Sequence, residues 1–311
     1  MDQALLSTPW RDLGITGRDV NTIPSMIAPD EALYLHWLAR CRYTGQGDIV
    51  DGGPLLGGST AAMAEGLRLN AAVENKANRI HSYDLFEYAA PFMKRLFKRG
   101  PVPVDGESLL PRFQANIKPW ASSVRVYPGD ILSYQWPGAP IEILFIDVAK
   151  TWDIQRHLLR EFFPHLIPGV SVVVQQDYFF VSCYWIHLIM ESLSDCFRPV
   201  HMTEGPTLGF ELVAPLPPQR LLLDYERAFS KNEAVALMDR SIARFEGLKR
   251  LVVTTAKVSL LLAYRDIDGA EDVVAQIQRA PEYGNATLQI DVDKAIEKIA
   301  KANAQRTARV A

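Results

Sequence analysis

A change from a strand pattern to a helical pattern decides the fold. It lies in residues 48–60, Asp-Ile-Val-Asp-Gly-Gly-Pro-Leu-Leu-Gly-Gly-Ser-Thr. Residues 48–51 have the character of a short strand, a glycine-rich turn follows, and residues 59–72 have helical spacing. Glycine adopts positive φ and lets a ligand approach the main chain, while Ser59 and Thr60 can cap the helix. This succession of strand, turn and helix is typical of an α/β sheet.

The same alternation continues along the chain. Further strands are predicted at 79–84, 124–128, 141–147 and 170–177, with helices at 107–117, 151–163 and 182–196. Continuous β-branched runs separated by helices indicate a parallel sheet that is covered on both faces. The runs at 198–203 and 208–214, separated by a Gly-Pro turn, predict a closing antiparallel pair. The expected fold is therefore α/β and Rossmann-like, with a mostly parallel seven-stranded sheet.

Three segments are expected along the chain. Residues 1–46 form an N-terminal helical lead-in with a helix at 29–43, and residues 47–218 form the Rossmann-like domain. Residues 219–311, after a proline-rich stretch, show only helical periodicity and predict an extension of four or five helices. The sequence leaves open whether this extension is a lid, a surface for a homo-oligomer or a partner site.

Composition narrows the classes of function. The 311 residues are 48% hydrophobic and 22% charged with a net charge of −3, so we expect a globular protein without a nucleic-acid partner. The three cysteines form no CxxC motif, which indicates neither a disulfide framework nor a zinc site. The N-terminus lacks a signal-peptide pattern and no apolar run is long enough to span a bilayer, so we expect a cytoplasmic protein without a membrane partner.

Candidate ligand contacts stand at the ends of the first three strands, where open α/β sheets bind their ligands. They are Asp51, Gly53, Gly57, Gly58 and Ser59 after the first strand, Asp84 after the second and Asp130 after the third. The turn resembles the cofactor loop of class I S-adenosylmethionine-dependent methyltransferases. The resemblance implies that the turn binds the aminocarboxypropyl end of the cofactor, that Asp84 binds the ribose, and that Asp130 contacts the adenine end. A nicotinamide-dependent dehydrogenase is an alternative, disfavoured because the turn is not GxGxxG.

Two further carboxylates end neighbouring strands: Asp147 follows the fourth and Asp177 the fifth. Oxygen ligands of this kind suit Mg²⁺. Residues 22–214 resemble the macrocin O-methyltransferase-like group, through IPSMIAPDEALYLHWL, DGGPLLGGST, YDLFE and FPHLIPGVSVVVQQDY. The resemblance implies methylation of a small-molecule acceptor, a sugar or other natural-product hydroxyl, with a metal bound by Asp147 and Asp177. Ala149 and Gln176 depart from the metal-binding pattern of that group.

Asp147 and Lys150 also have the Asp-x-x-Lys spacing of catechol-type O-methyltransferases, which implies a catalytic pair with Lys150 as the base. The alternatives without a catalytic role are that Lys150 is a solvated residue of a helix and that Asp147 and Asp177 only cap helices. His157, His165 and His187 are weaker base candidates. The main alternative to an enzyme is a module that binds the cofactor without catalysing a reaction, because the pattern of metal ligands is incomplete.

Overall fold

The computed structural model describes residues 2–98 and 100–310, with side chains through residue 306. The strands are β1 Asp48–Gly52, β2 Ile80–Asp84, β3 Val124–Pro128, β4 Ile141–Ile146, β5 Val172–Gln175, β6 Phe197–Met202 and β7 Leu208–Leu212. The helices up to β7 are α1 Gln3–Leu6, α2 Gly17–Val20, α3 Pro29–Trp37, α4 Gly58–Leu69, α5 Leu110–Ile117, α6 Trp152–Glu161 and α7 Tyr184–Ser192. The later helices are α8 Pro218–Leu221, α9 Lys231–Ala243, α10 Gly247–Ala263, α11 Ile267–Gln278 and α12 Ala286–Val310.

The seven strands form one sheet in the order β3-β2-β1-β4-β5-β7-β6. β1, β2, β3, β4 and β5 pair in parallel, and β7 pairs antiparallel with β5. This confirms the predicted Rossmann-like methyltransferase fold, including the helical C-terminal extension. The predicted last two strands are neighbours, and β7 lies between β5 and β6.

The strand order reverses at β1. The chain runs outward from β1 to β3 and then returns to place β4 on the other side of β1. In open α/β sheets, the crevice beyond such a reversal is where ligands bind. The fold therefore brings the residues that follow β1, β2 and β4 to one edge of the sheet.

The chain divides into two compact units. The first, here called the Rossmann unit, comprises Leu6–Gln176 and Arg198–Leu222. Its core includes β1, β4 and β5 side chains together with the lead-in helix α3. The Asn70 amide, at the end of α4, donates to the carbonyls of Ala39 and Tyr43, so the lead-in is fastened to α4 within this unit.

The second unit, here called the helical unit, comprises residues 2–5, Asp177–Phe197 and the chain from Leu223 onward. The predicted boundaries kept residues 182–196 with the sheet, whereas α7 clusters with the C-terminal helices. The buried face of α7 explains the difference. His187 Nδ1 lies 2.8 Å from Ser241 Oγ of α9, and the Glu191 carboxylate accepts hydrogen bonds from both Nε and Nη2 of Arg244. Among the described residues, no helix is long and apolar enough to cross a membrane.

Candidate functional site

A cavity of about 360 Å³, here called the edge cavity, opens in the Rossmann unit beside the ends of β1, β2 and β4. Its volume lies in the range of small-molecule sites. Its lining comprises Ser25, Met26, Ile27, Gly53, Pro54, Leu55, Ser59, Asp84, Leu85, Phe92, Met93, Asp147, Val148, Lys150 and Ile154. Five of the predicted site residues are among them, namely Gly53, Ser59, Asp84, Asp147 and Lys150.

The turn after β1 brings its backbone against the loop after β4. Gly53 has a φ of +96°, and a Cβ there would lie 2.9 Å from the Asp147 carbonyl oxygen. The turn leads into the 12-residue helix α4, and Ser59 in its first turn lines the edge cavity. Because the first N–H groups of a helix lack partners within it, this end suits an anionic group. Gly57 and Gly58 shape the turn without lining the cavity.

Asp51 lies beneath this turn rather than on the cavity wall. Its side chain is fully buried and accepts hydrogen bonds from the Ser59 hydroxyl at 2.9 Å and the Thr60 hydroxyl at 2.5 Å. Burial raises the pKa of Asp51 to about 7, against the lowering effect of the two hydroxyls. The structure therefore places Asp51 where it positions Ser59, and its pairing with a cofactor ammonium stays a prediction.

Asp84 ends β2 and lines the edge cavity directly. Its two carboxylate oxygens accept the backbone N–H groups of Leu55 at 2.8 Å and Phe86 at 2.7 Å, which fix its orientation. Burial raises the pKa of Asp84, and the two backbone donors oppose this effect. Each carboxylate oxygen has a second lone pair, so Asp84 retains acceptor capacity for a ligand hydroxyl.

Asp130, predicted for the adenine end, lies elsewhere. It is exposed, and its carboxylate accepts the Leu132 N–H at 3.0 Å, which caps its own short turn. It is not among the residues that line the edge cavity. A contact between Asp130 and the cofactor stays a prediction.

Asp147 and Lys150 form an ion pair on the cavity wall. Lys150 Nζ donates to Asp147 Oδ1 at 2.8 Å, with the lysine side chain 49% exposed and the aspartate 18% exposed. The spacing that the sequence singled out thus corresponds to direct contact. The pair provides one carboxylate and one amine at the wall of an otherwise mostly apolar cavity.

The residues present fit a bound Mg²⁺ poorly. No group of three or more His, Cys, Asp or Glu side chains suited to a metal occurs in the described part of the chain. Of the two predicted ligands, Asp147 lines the edge cavity, and metal binding by Asp177 stays a prediction. A cation on Asp147 would also compete with the Lys150 ammonium already bound there. We therefore derive no step through a metal.

Sequence reasoning missed the apolar side of the cavity. It is formed by the segment around Met26 and Ile27, and by Leu85, Phe92 and Met93 after β2. Leu85 and Phe92 are 57% and 55% exposed. The available signal was the presence of large apolar residues in segments without helical or strand periodicity.

The three histidines considered as bases lie outside the edge cavity, and no histidine is among its lining residues. His187 is fully buried in the helical unit, where burial lowers its pKa to about 3. Its Nδ1 is within hydrogen-bonding distance of the Ser241 hydroxyl, which also contacts the Tyr178 hydroxyl. This network accounts for His187 as part of the core of that unit.

Comparisons with known proteins identify similar folds only. No family model matches the chain. No curated protein matches it either. The solved structures that are similar to this chain include calicheamicin methyltransferase CalS11, which has 16% sequence identity and a TM-score of 0.44 over 58% of this chain and 78% of that one.

Two further structures are similar over slightly more of the chain. A putative RNA methyltransferase from Pyrococcus horikoshii has 12% identity and a TM-score of 0.40 over 67% of this chain and 98% of its own. An SAH-bound methyltransferase from Podospora anserina has 14% identity and a TM-score of 0.39, covering 69% and 89% respectively. Because these values are low, the assignment to the class I methyltransferase fold rests on the strand order of this chain.

Proposed function

We propose that this chain is an S-adenosylmethionine-dependent methyltransferase that acts on a small molecule. One observation carries the proposal: the edge cavity lies at the reversal of strand order and joins the Gly53 turn, the first turn of α4 and Asp84. A glycine turn, a helix N-terminus and an acidic side chain together complement a ligand with a carboxylate and neighbouring hydroxyls.

Within this proposal, the first turn of α4 at Ser59 holds the carboxylate of the cofactor, and Asp84 accepts hydrogen bonds from its ribose hydroxyls. The backbone at Gly53 allows close approach because no side chain intervenes. When bound, S-adenosylmethionine supplies an activated methyl group. The main task of the protein is then to align an acceptor with that methyl group.

The proposed reaction is methylation of a hydroxyl on a natural product or sugar, as the resemblance to the macrocin group implies. Lys150 Nζ first releases a proton to solvent, then takes the proton of the acceptor hydroxyl and restores its ion pair with Asp147, whose carboxylate holds Lys150 in place at 2.8 Å. The apolar side chains of the cavity, including Phe92 and Met93, exclude water from the acceptor.

The test is calorimetry of the full chain with S-adenosylmethionine and S-adenosylhomocysteine, with NAD as a control ligand. We expect one cofactor per chain and no binding of NAD. A folded protein that binds neither sulfur-containing ligand would refute the proposal, and binding of NAD alone would favour the dehydrogenase alternative.

A second candidate is a cofactor-binding protein without catalytic activity. The observation that favours it is that Ala149 and Gln176 replace carboxylates of the related metal-binding pattern, and both side chains are buried. Cofactor binding without S-adenosylhomocysteine formation, across a panel of phenols and sugars, would support it. Turnover with any of these acceptors would exclude it.

A further inference from the structure

A second cavity, of about 490 Å³ and wide open to solvent, lies on the surface of the helical unit and takes no part in the proposed reaction. We call it the helix cavity. Its wall includes Ser182 and Trp185 at the start of the α7 region, Ser259 and Leu262 on α10, and Lys298 and Lys301 on α12. Its surface is mostly apolar, and among the described side chains of its wall the ionisable groups are the two lysines and Tyr184. The volume lies in the range of small-molecule sites, and the wide opening leaves one side of a bound molecule exposed to solvent.

Lys298 is the unusual group in this wall. Its ammonium donates to Ser182 Oγ at 2.8 Å and to Ser259 Oγ at 3.0 Å, and Ser259 Oγ donates in turn to the Val181 carbonyl at 2.8 Å. Burial lowers the pKa of Lys298; the nearby Cys183 thiol opposes this effect, and the Lys294 ammonium adds to it. The position of the ammonium is thus set by two hydroxyls, one of which is itself fixed by the backbone.

No carboxylate of the described residues forms an ion pair with Lys298 or Lys301. Two neighbouring examples in the helical unit are balanced by carboxylates: Lys257 pairs with Asp239 and Lys294 with Asp291. A half-buried charge is costly unless it is paired. Lys298 has three N–H donors, of which the two hydroxyls occupy two. The cavity therefore presents positive charge and donor capacity without a matching anion.

An adjoining cavity of about 480 Å³, which shares lining residues with the helix cavity, extends the same surface. It shares Leu262 and Ala302 with the helix cavity and adds Arg265 and Arg306. Arg306 contacts Asp268, whereas Arg265 forms no ion pair with a described carboxylate. An apolar floor is thus bordered by cations over the length of both cavities.

We propose that the helix cavity binds a small apolar molecule that carries a carboxylate. The carboxylate lies at Lys298 and Lys301, where each of its oxygens receives a charge-assisted hydrogen bond. The apolar body lies against Trp185 and Leu262. This proposal is independent of the methyltransferase proposal, because every residue in it belongs to the helical unit.

The experiment compares 2-naphthoate with its neutral isostere 2-naphthamide by calorimetry on the full chain. We expect one site, with naphthoate bound about tenfold more tightly, since a hydrogen bond to a charged group is worth more than a neutral one. Lys298→Gln should remove most of this preference, and Lys301→Gln, at an exposed position, should reduce it about twofold to threefold.

Lys257→Gln is the matched control, because that lysine belongs to the same unit and is already balanced by Asp239 at 2.6 Å. It should leave the preference for naphthoate unchanged. The proposal is overturned if naphthoate binds no more tightly than naphthamide, or if neither lysine variant changes the preference. Circular dichroism of each variant confirms that a lost preference does not arise from unfolding, and Lys301→Gln supplies the test if Lys298→Gln does not fold.

Discussion

Lys150 Nζ lies 2.8 Å from Asp147 Oδ1, on the wall of the cavity that also contains Asp84. The sequence suggested two roles for these residues, a metal ligand at Asp147 and a base at Lys150. The two roles compete for the same carboxylate, because a metal ion on Asp147 would repel the Lys150 ammonium that now binds it. The contact favours the role of Asp147 as the residue that positions Lys150.

Replacement of the base should slow methyl transfer. We expect Lys150→Met to lower kcat by about 100-fold or more, the usual contribution of a general base, without changing cofactor affinity. The measurement is S-adenosylhomocysteine release with the best acceptor from a panel of phenols and sugars. Arg156→Met is the control, because Arg156 forms a comparable surface pair with Asp153 on α6. An equal decrease of kcat in the two variants would mean that Lys150 does not act as the base.

Chelation tests the metal hypothesis directly. Because Asp147 is engaged by Lys150 and no three-residue metal cluster occurs in the described chain, we expect EDTA to change turnover less than twofold. The same assay with added Mg²⁺ checks the reverse direction. Loss of turnover on chelation, restored by Mg²⁺, would return Asp147 to the role of a metal ligand.

Loss of the Asp84 charge should weaken cofactor binding. Asp84→Asn keeps the size of the side chain but removes a charged acceptor, so we expect S-adenosylmethionine affinity to fall about tenfold to 100-fold. Calorimetry measures this change. Asp130→Asn is the comparison variant, because Asp130 is the other predicted acidic contact but is exposed and lies outside the cavity lining, so its loss of affinity should be smaller. A larger effect at Asp130 than at Asp84 would mean that the cofactor lies farther along β3.

Asp51 should make stability depend on pH. Its pKa is raised by burial from 3.8 to about 7, so the folded protein holds this proton more tightly than the unfolded chain. The resulting stabilisation is fully present below pH 3.8 and is lost as the pH rises to about 7. Asp51→Asn lacks this pH-dependent stabilisation, while the other carboxylates titrate in both proteins.

The free energy of unfolding of Asp51→Asn should therefore rise relative to the parent between pH 4 and pH 7, by roughly 4 kcal/mol, at about 1.4 kcal/mol per pKa unit. Urea denaturation at several pH values measures the difference. A difference that stays constant over this range would mean that Asp51 is charged in the folded protein at low pH.

Gly53 should tolerate no side chain. In Gly53→Ala the new Cβ would lie 2.9 Å from the Asp147 carbonyl oxygen, so the turn and the loop after β4 must separate. We expect cofactor affinity to fall more than tenfold. Gly138→Ala has a similar φ of +89° but open space around the Cβ, so it shares only the backbone cost of about 1–2 kcal/mol. Similar cofactor affinity in both variants would contradict the close approach as the cause.

The strand ends were the part of the site that the sequence could predict. Gly53 and Ser59 follow β1 and Asp84 ends β2, and parallel strands bring such positions to one edge of the sheet. Asp51 lies in β1, near the predicted strand end, but its burial depends on the inward-turned hydroxyls of Ser59 and Thr60, which spacing does not encode.

The parts of the candidate site and of the fold that the sequence does not predict depend on long-range contacts. Met26 precedes Phe92 by 66 positions and no periodic pattern links them, yet both line the edge cavity. The assignment of α7 to the helical unit arises from contacts such as that between Glu191 and Arg244, which are 53 positions apart. Local patterns predict that α7 is a helix but do not specify which elements it packs against.

The position of β7 between β5 and β6 has a consequence for synthesis of the chain. All the strands that border the edge cavity are complete by Ile146, whereas β5 has an unpaired outer edge until Leu208–Leu212 arrives. An open edge of apolar residues such as Val172, Val173 and Val174 is a template for pairing with another chain. Chains that stop before β7 should therefore aggregate through β5, even though the strands beside the edge cavity are already present.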